Sequence, residues 1–290
     1  MSAPEGKTSD PTSDRASGQT SGQAPDPLPE QASGSAPDHI SSQPSRAYTV
    51  RTRQISAGEV HRGREGKASP LLYELVRWLA HGLVPLLVDL RVEGREHLPR
   101  QGAAIVASNH IASVDIPLVA YPVPRIVHYM AKAELFQVPF VGGFIRREGA
   151  FPVRRGEGDR EALRIAERLL SEGKVIGIFP EGHRTEEHAL IEAHPGVALI
   201  ALRAGAPVIP VAIRGSEYAL RGWRFLWRRP TVTVSYGAPL YLTSESTRRT
   251  SADVKRATDE IMGAIAAMLP PRYRGAYADL VPPQPNDTAP

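Results

Sequence analysis

The stretch Ser108-Asn109-His110-Ile111-Ala112-Ser113-Val114-Asp115 places a histidine and an aspartate five positions apart, just after an apolar run. A histidine at a strand exit with an aspartate within folding reach is the minimal general-base pair. The imidazole takes a proton from a hydroxyl, while the carboxylate holds the tautomer and stabilises the imidazolium. On one continuous helix these positions would point about 140° apart, so pairing requires His110 to sit in a loop before the helix that Ile116 and Pro117 open. The plainer reading of the same residues is that Asp115 caps that helix beside an unrelated histidine.

Two further stretches carry polar groups at the ends of apolar runs. In Phe179-Pro180-Glu181-Gly182-His183-Arg184 a turn exposes backbone amides and holds a carboxylate near a guanidinium, an arrangement suited to an anion or a polyol. It is equally what an ordinary turn with a surface ion pair looks like. Arg146, Arg147, Arg154 and Arg155 flank the short apolar segment 150–153. An arginine closing a strand presents a bidentate fork to a phosphate monoester, and a solvated arginine cluster is the alternative.

Such residues need a scaffold, and the chain supplies one from residue 92 onward. Apolar runs at 103–108, 126–131, 175–179 and 208–213 read as buried strands. Helices are predicted over 159–171, closed by Gly173, over 195–204, closed by Gly205, and from Thr250, where Asp253 completes a capping box. Residues 231–237 alternate like a half-exposed or edge strand. Strands alternating with helices predict a single layered α/β domain with a mostly parallel or mixed central sheet.

Outside this domain the composition changes. Residues 1–46 hold ten Ser, seven Pro, four Gly and four Gln and carry a net charge of −3, which leaves +7 on the remainder. They contain too little apolar surface to fold and no apolar core for a signal peptide, so a disordered tail without secretory targeting is expected. A basic linker, 47–69, contributes Arg51, Arg53, Arg62, Arg64 and Lys67. It leads into an amphipathic helix expected over 70–91. Twenty apolar-rich residues could just span a bilayer. However, Glu74, Arg77, His81, Pro85 and Asp89 recur at steps of three and four and so line one stripe, which favours a helix lying in an anionic membrane interface. A helix packed on the domain core is the alternative. The proline-rich residues 270–290 are expected to trail over the surface.

Other chemistries lack their parts. With no cysteine there is no thiolate zinc site, iron–sulfur cluster or cysteine nucleophile. A Walker A loop, a dinucleotide glycine fingerprint and a Gly-x-Ser-x-Gly elbow are missing. His183, His188 and His194 have no metal-ligand spacing, and His128 reads as a core residue. Residues 221–229, Arg-Gly-Trp-Arg-Phe-Leu-Trp-Arg-Arg, interleave aromatics with arginines. Anchoring at a membrane interface, plain packing and base stacking all use that pattern, and the first is the preferred expectation over nucleic acid.

Taken together, Asn109-His110 with Asp115, the GAFPVR stretch ending at Arg154, FPEG with Arg184, and the strand around Pro210 resemble the lysophospholipid acyltransferase family, specifically the 1-acylglycerol-3-phosphate acyltransferases. The resemblance covers roughly residues 70–245. It implies that His110 is the general base and Asp115 its orienting partner, while Arg154, Glu181, Gly182 and Arg184 contribute to acceptor binding. The implied reaction moves an acyl group from a thioester of coenzyme A or acyl carrier protein to the free hydroxyl of lysophosphatidic acid, giving phosphatidic acid. It proceeds without an acyl-enzyme, a metal or a resident cofactor. The expected partners are the lysophospholipid, the acyl thioester, acyl carrier protein as a donor, and an anionic membrane surface. A peripheral or monotopic place on the cytoplasmic face of the cell membrane is expected. Three departures bear on the acceptor: Ala112 stands where family members usually have serine, His183 follows FPEG, and Ala193-His194 precede Pro195-Gly196 where lysine is common. An acyltransferase for another lysolipid or a glycolipid, and a lipid-surface binding protein without chemistry, are the competing expectations.

Overall fold

The computed structural model describes residues 68–154, 159–184, 187–219, 229–244 and 250–282. The chain divides into two units, Met1–Thr52 and Arg53–Pro290, and every described residue belongs to the second. The expected tail, all but the last two residues of the basic linker, and the aromatic–arginine stretch apart from Arg229 lie outside the described residues.

Seven strands form one mixed sheet: β1 (Asp89–Glu93), β2 (Ala104–Ser108), β3 (Val127–Lys132), β4 (Phe151–Val153), β5 (Val175–Ile178), β6 (Val208–Arg214) and β7 (Thr231–Tyr236). Their order across the sheet is β1-β7-β6-β2-β5-β3-β4. Every neighbouring pair is parallel except β6 and β7. Crossover helices cover both faces, which is why the central strands read as unbroken apolar runs instead of alternating. Ile105 and Ala107 of β2 face α4 (Arg160–Ser171), α5 (Gly196–Ala204) and α6 (Ser251–Ala267). Ala104 and Val106 face the opposite layer, formed by α1 (Pro70–Leu87) and α2 (Asp115–Ala120). A third short helix, α3 (Val141–Arg147), links β3 to β4.

The helix signals act locally as their chemistry requires. The Asp159 side chain accepts the amides of Glu161 and Ala162 at the start of α4. Thr250 and Asp253 form the reciprocal capping box of α6. Gly205 closes α5 in the left-handed conformation.

Three expectations need revision. The helix anticipated over 70–91 ends at Leu87, because Pro85 removes an N–H near its end and Val88 turns extended. Asp89–Glu93 then form β1, so the sheet begins before residue 92. β7 is not an edge strand: β1 pairs with it in parallel from Asp89↔Thr231 to Glu93↔Ser235, and all its residues after Thr231 are buried. Finally, the C-terminal segment does not trail. Residues 271–273 and 275–280 form 3-10 turns that bury Tyr273 and Tyr277, and Val281 is buried beyond them. The Tyr277 hydroxyl accepts the Ala193 amide at 2.8 Å, and buried Arg274 donates from Nε to the Leu269 carbonyl at 2.9 Å. Prolines suit these tight turns, and the interleaved tyrosines supply apolar area that a proline-rich surface strand would lack.

Tyr277→Ala is therefore expected to lower unfolding stability by about 3 kcal/mol and Tyr277→Phe by about 1 kcal/mol, measured by urea denaturation. Equal, negligible losses would place the segment on the surface after all.

Candidate active site

β2 delivers its chemistry through an extra rung. Beyond the strand, the Asn109 side chain donates from Nδ2 to the Ile213 carbonyl at 2.9 Å and accepts the Ile213 amide on Oδ1 at 2.8 Å. An amide side chain thus imitates a backbone partner for β6 and fixes where His110 leaves the sheet, at the carboxyl ends of parallel strands where open α/β sheets place ligands.

Asp115 is the first residue of α2 and is fully buried. Its Oδ2 meets His110 Nδ1 at 2.9 Å and accepts the amides of Ile111 and Ala112, each at 2.7 Å. Its Oδ1 accepts the Ser216 hydroxyl at 2.5 Å. The carboxylate therefore bonds back to the loop before its helix, and Val114, not Asp115, is the N-cap. An ionised carboxylate only accepts, so Nδ1 must donate and the neutral ring keeps its lone pair on Nε2. The imidazole is 8% exposed and stacks on Phe179 with centroids 4.1 Å apart and planes 24° apart. Phe179 in turn stacks on Tyr129 at 5.7 Å, and Gly177 makes room for that tyrosine, because a Cβ there would lie 2.4 Å from its ring.

Glu181 holds the next loop. It is 1% exposed; Oε1 accepts the His110 amide at 2.9 Å and Oε2 accepts the Ile191 amide at 3.2 Å. Both oxygens meet backbone amides, so this carboxylate ties the strand exit of β2 to the segment after β5. Burial pushes its carboxyl up to about 7, against the two amides that favour the charged form.

Of the remaining expected residues, Arg154 and Gly182 line a cavity that shares Phe179 with the histidine stack. Gly182 adopts φ +71, and a Cβ there would lie 2.8 Å from the His194 ring, so both the turn and the close approach require glycine. Arg184 is exposed and donates to the Ser113 hydroxyl, which brings the two loops together. Arg154 follows β4; its amide donates to Asp159 at 2.9 Å and its guanidinium lies 4.0 Å from the same carboxylate. Arg154, Gly182 and His194 line a cavity of about 420 Å³ together with apolar Met130, Leu163, Phe179 and Ile200. Phe179 is shared between this cavity and the His110 stack, so His110, Asp115, Glu181, Gly182, Arg184 and Arg154 gather around one end of the sheet.

Among the described residues no group of three or more His, Asp or Glu could hold a metal ion. His128 is buried with Nδ1 against the Gly149 carbonyl at 2.8 Å. The residues that sequence reasoning missed are Ser216 and Asn109's pairing role. Ser216 lies 101 residues after Asp115, in a 3-10 turn behind β6, and its only local sign is the Gly215 that precedes it.

Comparison with known proteins decides what this geometry belongs to. An acyltransferase family model matches residues 89–214, which span β1 to β6. The 1-acyl-sn-glycerol-3-phosphate acyltransferase of Bacillus subtilis is 32% identical over 160 residues, covering 55% of this chain and 77% of that protein. The chain belongs to the 1-acylglycerol-3-phosphate acyltransferase family. The lyso-ornithine lipid O-acyltransferase of Pseudomonas aeruginosa is 38% identical over 148 residues, covering 50% of this acyltransferase and 55% of the relative. The crystal structure of the LPA acyltransferase from Thermotoga maritima superposes with a TM-score of 0.52 at 25% identity, over 65% of this chain and 76% of that one. The mixed α/β domain is shared with that structure, as the alternation of strands and helices predicts.

The Glu181 carboxyl gives the acyltransferase a pH signature. Its folded value lies above the ordinary 4.5, so the stability it contributes is complete below about 4.5 and is lost as pH rises through about 7. The stability difference between wild type and Glu181→Gln is expected to shrink by on the order of 2 kcal/mol from pH 5 to pH 8, read by urea unfolding at each pH. A constant difference would mean the carboxyl is ionised throughout.

Proposed function

We propose that this enzyme transfers an acyl group from an acyl thioester, of coenzyme A or acyl carrier protein, to the free hydroxyl of lysophosphatidic acid, forming phosphatidic acid in phospholipid synthesis. The His110–Asp115 pair carries the reading, because its geometry leaves Nε2 as the basic nitrogen beside an apolar cavity with arginine at its edge. Nε2 takes the acceptor's proton as the oxygen attacks the thioester carbonyl. The tetrahedral intermediate collapses with cleavage of the C–S bond, and the imidazolium returns its proton to the departing sulfur. Asp115 holds the ring and stabilises its charged form. Arg154 and Arg184 supply cationic donors for the acceptor phosphate, and Gly182 lets the chain pass close to it.

The exposed face of α1 supports membrane association. Its exposed side carries Leu71, Leu75, Trp78, Leu79, Leu83 and Leu86, while Tyr73 is buried and donates its hydroxyl to the Arg125 carbonyl. Among the described residues no helix is long and apolar enough to cross a membrane. Such a face fits a helix lying in the interface, where lysolipid and product reside, and a peripheral place on the cytoplasmic leaflet suits a thioester donor.

A second acceptor has specific support. The higher identity to the lyso-ornithine lipid enzyme, together with Ala112, His183 and His194 at the site, favours testing an amino-acid lysolipid beside the phosphate acceptor.

Acceptor-dependent release of free thiol from long-chain acyl-coenzyme A or acyl carrier protein by purified protein tests the reading. His110→Ala and Asp115→Asn are each expected to reduce release at least about a hundredfold with little change in KM. Release that survives His110→Ala would rule out the base. Parallel assays with lysophosphatidic acid and lyso-ornithine lipid assign the acceptor by kcat/KM.

A further inference from the structure

We propose that the segment from Leu135 to Phe144 is a second membrane contact, which seats Phe140 in the interface of an anionic bilayer beside α1. This rests on the reading of α1 as an interfacial helix. Leu135, Val138, Phe140, Val141 and Phe144 are all exposed, in a chain where single exposed apolar residues would need no explanation. Phe140 is the extreme case: its side chain is 94% exposed, the largest value among the exposed large apolar residues.

Its backbone is strained as well. Phe140 has φ 63 and ψ −47, and the Val141 amide closes a three-residue turn onto the Pro139 carbonyl at 2.7 Å. This positive-φ γ-turn is costly for any residue with a side chain and is natural to glycine. The turn holds the ring outward, where the protein offers it nothing to pack against. An aromatic ring held there gains free energy only when something apolar covers it, and aromatic residues favour the lipid headgroup boundary.

Position and charge identify the cover. The Ser69 amide at the N-cap of α1 donates to the carbonyl of Arg147, the last residue of α3, at 2.8 Å. The apolar turn is therefore joined to the end of α1 that carries Leu71, itself 86% exposed. Lys132, Arg146 and Arg147 flank the patch against Glu134 and Glu148. Arg146 lies 5.4 Å over the Phe136 ring, and Arg147 is exposed with Nη1 towards the Gly143 carbonyl. Lys132 pairs with Glu134 at 3.5 Å, so the three basic and two acidic side chains leave a net charge of +1 around the apolar tip, the sign that suits anionic headgroups over acyl chains.

The test uses the full chain and its lack of cysteine. Phe140→Cys, Trp78→Cys in α1, and Lys255→Cys on the exposed face of α6 each accept one environment-sensitive dye. Vesicles of phosphatidylglycerol and phosphatidylcholine are expected to shift the emission blue at 140 and 78 and not at 255. A shift at 78 alone overturns the proposal and leaves the α1 reading standing, whereas a shift at 140 alone removes the α1 reading and, with it, the proposal of a second contact beside α1. No shift at either position overturns both. A blue shift at 140 that grows with protein concentration in the absence of vesicles would mean a second copy covers the patch and would also overturn the proposal. Phe140→Gly adds an independent measure: vesicle partitioning is expected to fall about tenfold, with melting temperature unchanged or higher and turnover in detergent micelles unchanged. Unchanged partitioning would contradict the contact.

Discussion

The buried carboxylate of Asp115 is the point on which the site depends. It accepts from the His110 ring, from two consecutive loop amides and from the Ser216 hydroxyl, so it joins the exit of β2, the start of α2 and the turn after β6 in one place. A buried charge in an apolar layer is tolerated only when such donors surround it. Here the donors that stabilise the charge also position the His110 imidazole. Orientation of the imidazole is thus a consequence of satisfying the carboxylate, and no separate device is needed for it.

The sheet exists around this point in a recognisable way. Asn109 continues the β2–β6 ladder with its side chain, and Glu181 draws the loop after β5 onto the His110 backbone. Three neighbouring strands, β6, β2 and β5, therefore converge on one residue. The geometry of Glu181 makes it a brace, because both carboxylate oxygens meet backbone amides.

Local chemistry was legible in the sequence wherever it was written locally. The spacing of His110 and Asp115, the capping box of Thr250 and Asp253, and the apolar runs of β2, β5 and β6 each specify their own neighbourhood. What escaped depends on partners distant in the chain. Ser216 looks like any serine until β6 is laid beside β2. β1 is five residues with polar alternation, so β7 reads as an edge until its partner is in place. Tyr273 and Tyr277 are surrounded by prolines that argue for a surface path, and only the Ala193 amide and the core beneath reveal their burial. The apolar tip at Phe140 was illegible for a different reason: a γ-turn at a phenylalanine contradicts the residue's own preference.

Asp115 fixes His110 with its proton on Nδ1 and its lone pair on Nε2. Nitrogen-15 correlation spectra of the histidine rings near pH 8, with the His110 signals assigned by their loss in His110→Ala, read that tautomer directly. The account predicts a protonated Nδ1 and a bare Nε2 in the wild-type protein. A ring protonated on Nε2 would contradict it, because that nitrogen would then have no lone pair with which to receive a proton.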